Sequence, residues 1–297
     1  MHATRHAKGT VRAAAVLSGT ALVTVACTVV GPVVETSPGP ARATATQPQP
    51  PVARTAPPVP VVPPMPEVDR EGLPPADPWA VLPQAPADPD PTTMPDGTLA
   101  TPLSDAGAVL HDAPGGQPFA VLPQVQYLGQ TSYPVIDTHG PWHQVLLTVR
   151  RGLPSEVGPG GVNEATGWVH LDEVELHTTD HRIVIDLGEG TVTLSQGTRV
   201  LARTEAGYGA PGTPTPETRT FVMSIHPDPA ATYSPLFVMF GASSPTLDQF
   251  LGGPAPIAIH TFATHRGPIS NGCLRVPADA LDPFTEVPLG TPVLITS

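Results

Sequence analysis

The sequence predicts a mainly β protein in which two small β domains follow a long proline-rich segment. Proline accounts for 42 of the 297 residues and glycine for 28, so part of the chain is not expected to pack as a domain. Apolar residues occur in short clusters between glycine turns, which is typical of strands. The formal net charge is −12. Because nucleic-acid binding depends on basic residues that neutralise phosphates, this charge excludes a nucleic-acid partner.

The first 27 residues have the layout of an export signal. Three basic residues precede an apolar run over 13–26, which is too short to span a bilayer comfortably. Val25-Ala26-Cys27 resembles a lipobox, which would lipidate Cys27, but cleavage elsewhere or an uncleaved anchor reaching Val34 also fits. We therefore expect an extracytoplasmic protein of the cell envelope or cell wall. It would touch the membrane only through this leader or its lipid.

Residues 28–99 are predicted to be a disordered, proline-rich linker. Between positions 32 and 95, 20 of 64 residues are proline. Apolar residues in this stretch do not recur at the spacing of a helix or a strand, so we expect an extended chain without a packed core.

Residues 100–178 are predicted to form a small all-β barrel, because short apolar clusters alternate there with glycine turns. The runs Gly140–Val145 and Thr166–Val169 resemble the bacterial SH3-like domain. That resemblance implies either wall binding or packing against a catalytic neighbour. We expect Trp142 and Trp168 to belong to the barrel core.

The last predicted domain, residues 181–297, begins as a β meander. Its β-branched runs are broken by tight glycine turns and cover 182–187, 191–194 and 199–204,. Pro277–Val287 is predicted to be a short helix, and Thr291–Ile295 a final strand.

One cysteine of this domain stands in a chemically informative setting. The chain has two cysteines, and Cys27 lies in the leader, so Cys273 is the single thiol of the folded part. A thiol is a weak nucleophile until it loses its proton, at a pKa of about 8.5, and an imidazole can supply the base. His260 ends an apolar run thirteen residues before Cys273. Gly272 lets the backbone approach a substrate closely, so the N–H groups of 271–273 could form an oxyanion hole.

These motifs resemble the L,D-transpeptidase catalytic domain, also called the YkuD domain. The resemblance rests first on Ile257–His260 followed by Ser270–Arg275. Gly209–Pro216 is similar to the family's upstream Thr-Pro-Thr-Pro turn, and Leu289–Val293 to its closing strand. With four motifs in the family's order, the resemblance spans residues 181–297. It implies a YkuD-type β-sandwich behind the SH3-like barrel.

The resemblance also implies roles for individual residues. Cys273 would be the nucleophile, and His260 would be the general base, held by the Thr261 carbonyl. The oxyanion loop would consist of Ser270, Asn271 and Gly272. Arg275 would brace this loop or bind a substrate carboxylate. The implied reaction attacks the bond between the L-centre of a diamino acid and D-alanine in a stem tetrapeptide of peptidoglycan. A thioester forms, and a neighbouring amine resolves it into a cross-link. No metal or cofactor is implied, and we expect a monomer.

The sequence departs from the family pattern at three positions. Asn271 stands where histidine is frequent, and Thr261 and Thr218 each replace a glycine. His265 is a competing base, although we expect it on a connecting loop. Two other functions fit the same residues: an L,D-carboxypeptidase, in which water resolves the thioester, and a wall-binding protein that has lost activity.

Overall fold

The computed structural model describes residues 68–126 and 129–297, and it confirms that the protein is mainly β. The predicted export signal, Cys27 and the linker before residue 68 lie outside the described residues.

The N-terminal sheet contains seven strands in the order β3-β2-β8-β7-β6-β1-β9, and every neighbouring pair is antiparallel. Its strands are β1 (Thr98–Pro102), β2 (Ala108–His111), β3 (Pro118–Leu122), β6 (Tyr133–His139), β7 (Trp142–Leu146), β8 (Thr166–His170) and β9 (Val174–Thr178). A separate two-stranded ladder joins β4 (Val125–Gln126) to β5 (Gly129–Gln130). The helical segments of this half are α1 (Pro154–Val157) and two 3-10 turns, Pro159–Gly161 and Leu171–Glu173.

Trp142 is buried between the imidazoles of His111 and His170, with ring centroids 4.8 and 5.0 Å away. This fits the expectation that it is a core residue. Trp168 is only half-buried. The SH3-like assignment of residues 100–178 stays a prediction.

The C-terminal sheet contains ten strands in the order β12-β11-β10-β19-β14-β15-β16-β18-β13-β17. They are β10 (His181–Asp186), β11 (Thr191–Gln196), β12 (Arg199–Glu205), β13 (Gly207–Gly209), β14 (Thr218–His226), β15 (Phe237–Ser243), β16 (Pro256–Thr261), β17 (Gly267–Ser270), β18 (Leu274–Val276) and β19 (Pro292–Thr296). The first three form the antiparallel meander that the sequence predicts. Strands β10 and β19 pair in parallel, as do β16 and β18.

The helix predicted over Pro277–Val287 is wrong as a single element. The chain forms a 3-10 turn at Ala278–Ala280 and then a separate turn of helix, α2 (Asp282–Thr285). Pro283 lies in the first turn of α2, where proline is tolerated, but it cannot continue a preceding helix. Phe284 is fully buried and anchors this segment in the core.

The structure corrects the C-terminal end of the predicted linker. Residues 68–97, here called the N-terminal arm, are ordered against both sheets. Ala76, Leu82 and Ala85 are buried, and the arm exchanges backbone hydrogen bonds with Val121 and Arg150. Because proline has no N–H group, an extended proline-rich segment can lie along a sheet edge without leaving donors unpaired. The small apolar residues between the prolines supply the burial that composition alone did not reveal.

A buried ion pair fastens the arm to the C-terminal sheet. The Asp88 carboxylate accepts two hydrogen bonds from the guanidinium of Arg219 on β14, at 2.7 Å to Nε and 2.6 Å to Nη2. The third guanidinium nitrogen, Nη1, donates to the Thr93 carbonyl at 3.1 Å. Both charged side chains are almost fully shielded from solvent, so each charge depends on its partner.

The two sheets share one hydrophobic core, and the C-terminal sheet encloses a second one. Phe221 and Met223 of β14 pack into the cluster formed by the N-terminal sheet and the arm. A second cluster lies within the C-terminal sheet and includes Ile257, Ile259, Leu274 and other buried side chains. The described residues belong to one compact unit. Within 68–126 and 129–297, no helix is both long and apolar enough to cross a membrane.

We expect Asp88→Ala to lower the free energy of unfolding by about 3–5 kcal/mol, because it leaves the Arg219 charge buried without a partner. Urea denaturation followed by circular dichroism would measure the change. Glu189→Ala is the matched control: Glu189 pairs with Arg203 at the surface, and exposed pairs contribute little. Equal losses in the two variants would contradict the role given to the buried pair.

Candidate active site

Strand β16 presents two different faces along its length. Ile257 and Ile259 point into the core of the C-terminal sheet. Ala258 and His260 alternate with them and line a cleft on the opposite face. This period of two is the ordinary geometry of a strand, so the position of His260 follows from the burial of its isoleucine neighbours.

Strand β18 repeats the pattern beside it. Leu274 and Val276 are fully buried in the core, whereas Cys273 and Arg275 line the cleft. The two strands pair in parallel, with His260 opposite Arg275. One step back along the same register, Cys273 lies beside Ala258. His260 and Cys273 are therefore diagonal neighbours on one face of the paired strands, and both line the cleft.

The ring of His260 is held in one orientation. Its Nδ1 lies 3.0 Å from the backbone carbonyl oxygen of Thr261, which is the contact that the sequence predicted. A carbonyl can only accept, so Nδ1 carries the proton and Nε2 keeps its lone pair. The rings of Phe237 and Tyr233 flank the imidazole at centroid distances of 5.2 and 5.5 Å.

Burial favours the neutral forms of His260 and Cys273. Burial lowers the pKa of His260, against the opposing hydrogen bond to Thr261, and the nearby Arg275 charge lowers it further. Burial also raises the pKa of the Cys273 thiol, although a hydrogen bond with the Ala258 backbone and the Arg275 charge act in the other direction. These shifts favour a thiol beside a neutral imidazole, a pair in which the free Nε2 could accept the thiol proton.

The loop before Cys273 is organised by the hydroxyl of Ser270. This hydroxyl donates to the Cys273 carbonyl oxygen at 2.6 Å and accepts from the Gly272 N–H at 3.1 Å. Gly272 has φ +115°, and a Cβ there would lie 2.9 Å from Cδ1 of Ile257. Only glycine fits this backbone without strain.

The Thr-Pro-Thr-Pro turn holds the same loop from the other side. Thr213 donates its hydroxyl to the Ser270 carbonyl at 2.9 Å, and Thr215 donates to the Gly272 carbonyl at 2.7 Å. The Thr215 hydroxyl also accepts from the Gly209 N–H at 2.9 Å. Sequence reasoning found this turn by its resemblance but missed its contact with the cysteine loop.

Arg275 lines the same cleft as His260 and Cys273. Its guanidinium carbon lies 4.2 Å from the centre of the Phe262 ring, a cation–π contact. Its Nε is buried and has no hydrogen-bond partner among the described residues. A cation with unused donors in a cleft is suited to a carboxylate.

The remaining predicted site residues occupy distinct places. Asn271 is exposed on the cleft rim. Thr261 is buried, and its hydroxyl donates to the Tyr233 carbonyl at 2.7 Å, so the residue that replaces glycine fastens the loop beside His260. His265 directs Nδ1 toward the Phe262 carbonyl at 3.3 Å and does not line the cleft. Thr218 is buried on β14 opposite Ile295.

The cleft has a volume of about 370 Å³ and joins groups from distant parts of the chain. Beyond Cys273, His260 and Arg275, its walls include Asp228, Tyr233, Met239, Leu247, Phe250, Leu251, Pro254 and Pro256. Trp79 of the N-terminal arm also lines it. Sequence reasoning missed Trp79 because it lies in the predicted linker. The apolar run Trp79–Leu82 is the signal that could have revealed it.

Among the described residues, no group of three or more histidine, cysteine or acidic side chains is placed to hold a metal ion.

Residues 180–295 match the family model of the L,D-transpeptidase catalytic domain, YkuD. The match confirms the resemblance that the four motifs predicted over 181–297. No curated protein matches the sequence.

Solved L,D-transpeptidases are among the similar structures. Enzyme 3 from Mycobacterium tuberculosis, in complex with a faropenem-derived adduct, is 13% identical over 67% of this chain and 98% of its own, with a TM-score of 0.34. The enzyme from Mycobacterium smegmatis is 16% identical over 69% and 100%, with a TM-score of 0.32. The catalytic domain from E. faecium is 20% identical over 40% and 98%, with a TM-score of 0.30. At these low scores, the superpositions do not define the chemistry of this chain.

We expect Thr215→Val to loosen the cysteine loop, because it leaves the Gly209 N–H and the Gly272 carbonyl without a partner. Unsatisfied buried groups of this kind cost about 1–3 kcal/mol each. Hydrogen exchange at the amides of 270–273 should accelerate. Thr246→Val is the control, because the Thr246 hydroxyl is buried without a hydrogen-bond partner among the described residues. Unchanged exchange in Thr215→Val would contradict the clamp.

We expect the alkylation of Cys273 by iodoacetamide to rise steadily with pH, without a plateau below pH 8, because the pKa of the thiol is raised above its ordinary value of about 8.5. Mass spectrometry of the Cys273 peptide would give the rate at each pH. A fast, pH-independent rate between about pH 5 and 8 would instead indicate a thiolate–imidazolium pair, contrary to the burial of both groups.

Proposed function

We propose that residues 181–297 form a peptidoglycan L,D-transpeptidase in which Cys273 is the nucleophile and His260 the general base. The observation that carries this proposal is the parallel register of β16 and β18, which sets the thiol and the unprotonated Nε2 on one face of an open cleft. The family match over 180–295 supports it.

In the acylation step, Nε2 of His260 takes the thiol proton as Sγ of Cys273 attacks a carbonyl carbon. This carbon belongs to the L-centre of the diamino acid, and the bond that breaks joins it to the nitrogen of D-alanine. The imidazolium returns the proton to that nitrogen, so D-alanine leaves as a free amine. A neutral base near pH 7 suits both proton transfers.

The tetrahedral oxyanion needs N–H donors that are free. The Gly272 N–H is engaged by Ser270, so Gly272 and Ser270 shape the loop instead of donating to substrate. We assign the oxyanion hole to the backbone N–H groups of Asn271 and Cys273. Each such donor contributes about 2.7–4 kcal/mol to stabilising the transition state.

The transfer step follows the same order of events, with an amine as the attacking group. The amine of a neighbouring stem attacks the thioester while His260 removes its proton. Sulfur leaves and is reprotonated, and a new peptide bond joins the two stems. Arg275 would hold a carboxylate of the substrate, since its positively charged side chain lines the cleft. No metal or cofactor takes part in these steps.

This function places the protein outside the cytoplasm, in the cell envelope, as the predicted export signal does. Its partners would be the stem peptides of peptidoglycan. The membrane connection through the leader, the lipidation of Cys27 and the monomeric state stay predictions.

Incubation with a stem tetrapeptide and an amine acceptor, followed by mass spectrometry, tests the reaction. We expect release of D-alanine, a cross-linked product, and a covalent adduct on Cys273 when a carbapenem replaces the peptide. His260→Ala should slow acylation by about 10²–10⁴-fold, the usual contribution of a general base. Cys273→Ala should abolish it.

His265→Ala is the matched histidine control and should keep the acylation rate of the wild type. If His265→Ala lost acylation while His260→Ala kept it, His265 would be the general base. A hydrolysed tripeptide without cross-link would identify a carboxypeptidase. A folded protein that forms no adduct and releases no D-alanine would be a binding protein.

A further inference from the structure

We propose that Trp79 and the hairpin tip Phe250–Gly253 form a subsite for a sugar ring of the glycan strand that carries the donor stem peptide. This inference rests on the proposed function and assigns a substrate contact to the N-terminal arm. The arm lies outside the segment that matches the family model.

The subsite exposes large apolar side chains together. Trp79 is 62% exposed, Phe250 44% and Leu251 86%, and all three line the cleft that holds Cys273. Single exposed apolar residues are ordinary, but several grouped at one end of a cleft mark a binding surface. Leu251 also has a positive φ of 52°, a conformation that costs energy in a non-glycine residue and is common at binding sites.

The hairpin is held in place by the N-terminal half of the protein. Arg150 donates from Nη1 to the Asp248 carbonyl at 2.6 Å. The Asp248 carboxylate accepts from the backbone N–H of Ser155 at 3.0 Å and from its hydroxyl at 2.6 Å. The arm is attached to the same residue, since Leu82 N–H donates to the Arg150 carbonyl at 2.8 Å. Trp79 and Phe250 are thus fixed to a common support.

Glycine at the hairpin tip lets the indole lie against it. A Cβ at position 253 would be 3.3 Å from Cη2 of Trp79. The indole therefore covers the Gly253 backbone with its six-membered ring and leaves more than half of its surface open to the cleft and solvent.

The spacing between Cys273 and the hairpin tip is of the same order as the length of a stem peptide. Cys273 lies beside Ala258, and Gly253 is five positions before Ala258 in the chain, which is at most about 17 Å of extended chain. Three residues separate the attacked carbonyl from the glycan, and they span at most about 11 Å. The ether linkage to the sugar adds to that length, so the reach of the donor and the spacing between Cys273 and the hairpin tip are of the same order.

The chemistry of the two ends of the cleft also differs. Arg275 and the residues around Tyr233, including Asp228, place charged groups near the reaction centre, where the peptide has its amine and carboxylate groups. The end of the cleft at Trp79 is lined by apolar side chains, and the indole offers a flat ring. A pyranose ring presents C–H bonds on its faces and hydroxyls at its rim, which suits an indole that is apolar in the middle and polar at its N–H edge.

The test compares two donors for the release of D-alanine: the free tetrapeptide and the same tetrapeptide on its disaccharide. We expect Trp79→Ala to raise the KM for the disaccharide donor, relative to the KM for the free peptide, by about five- to tenfold, the size of one aromatic contact. Trp79→Phe should restore most of the preference. Val200→Ala, at an exposed position on β12 outside the cleft, should leave the ratio unchanged.

Equal changes for both donors would overturn the proposal, because the indole would then contact the peptide. A change seen only in transfer to the amine would place the acceptor there and would also overturn it. Calorimetry on Cys273→Ala, with and without Trp79→Ala, measures disaccharide-tetrapeptide binding without turnover. A weaker affinity in the double variant supports the subsite even if no carbapenem adduct forms and the proposed reaction fails. Equal affinities overturn the subsite.

Discussion

The parallel pairing of β16 with β18 is the constraint on which the site depends. Leu274 and Val276 are completely buried, and burial of such side chains contributes about 1.5–3 kcal/mol each. A slip of one residue would exchange the two faces of β18 and send Cys273 and Arg275 into the core. Packing of two ordinary aliphatic side chains therefore decides where the thiol points, and the core and the site are specified together.

The low polarity around the pair sets its chemistry. A thiolate is the form of cysteine that alkylating and oxidising agents attack, and burial raises the pKa of the Cys273 thiol, which favours the protonated form at rest. For a protein that we propose works outside the cytoplasm, this resting state limits oxidation of its folded thiol. Burial also lowers the pKa of His260, which we propose as the base, and the Thr261 carbonyl fixes the tautomer of the neutral ring.

Local sequence patterns predicted the parts of the structure that are local. The meander over β10–β12 follows from the apolar runs and glycine turns, and the contact of His260 with the Thr261 carbonyl was implied by the family resemblance. The hydrogen bond from Thr215 to Gly272 crosses 57 positions and the pair Asp88–Arg219 crosses 131, and no local pattern encodes such contacts. Composition misled in the N-terminal arm, since a high proline content describes an extended backbone but does not say whether that backbone is packed.

The pair formed by Asp88 and Arg219 bears on where the catalytic unit begins. A fragment started at residue 181 would contain Arg219 but would lack the Asp88 carboxylate and the Thr93 carbonyl that accept its hydrogen bonds. Phe221 and Met223 would lose the apolar surface that covers them. The segment that matches the family model is therefore shorter than the segment that we expect to fold by itself. Modular exchange of its C-terminal part between proteins would have to carry the arm along.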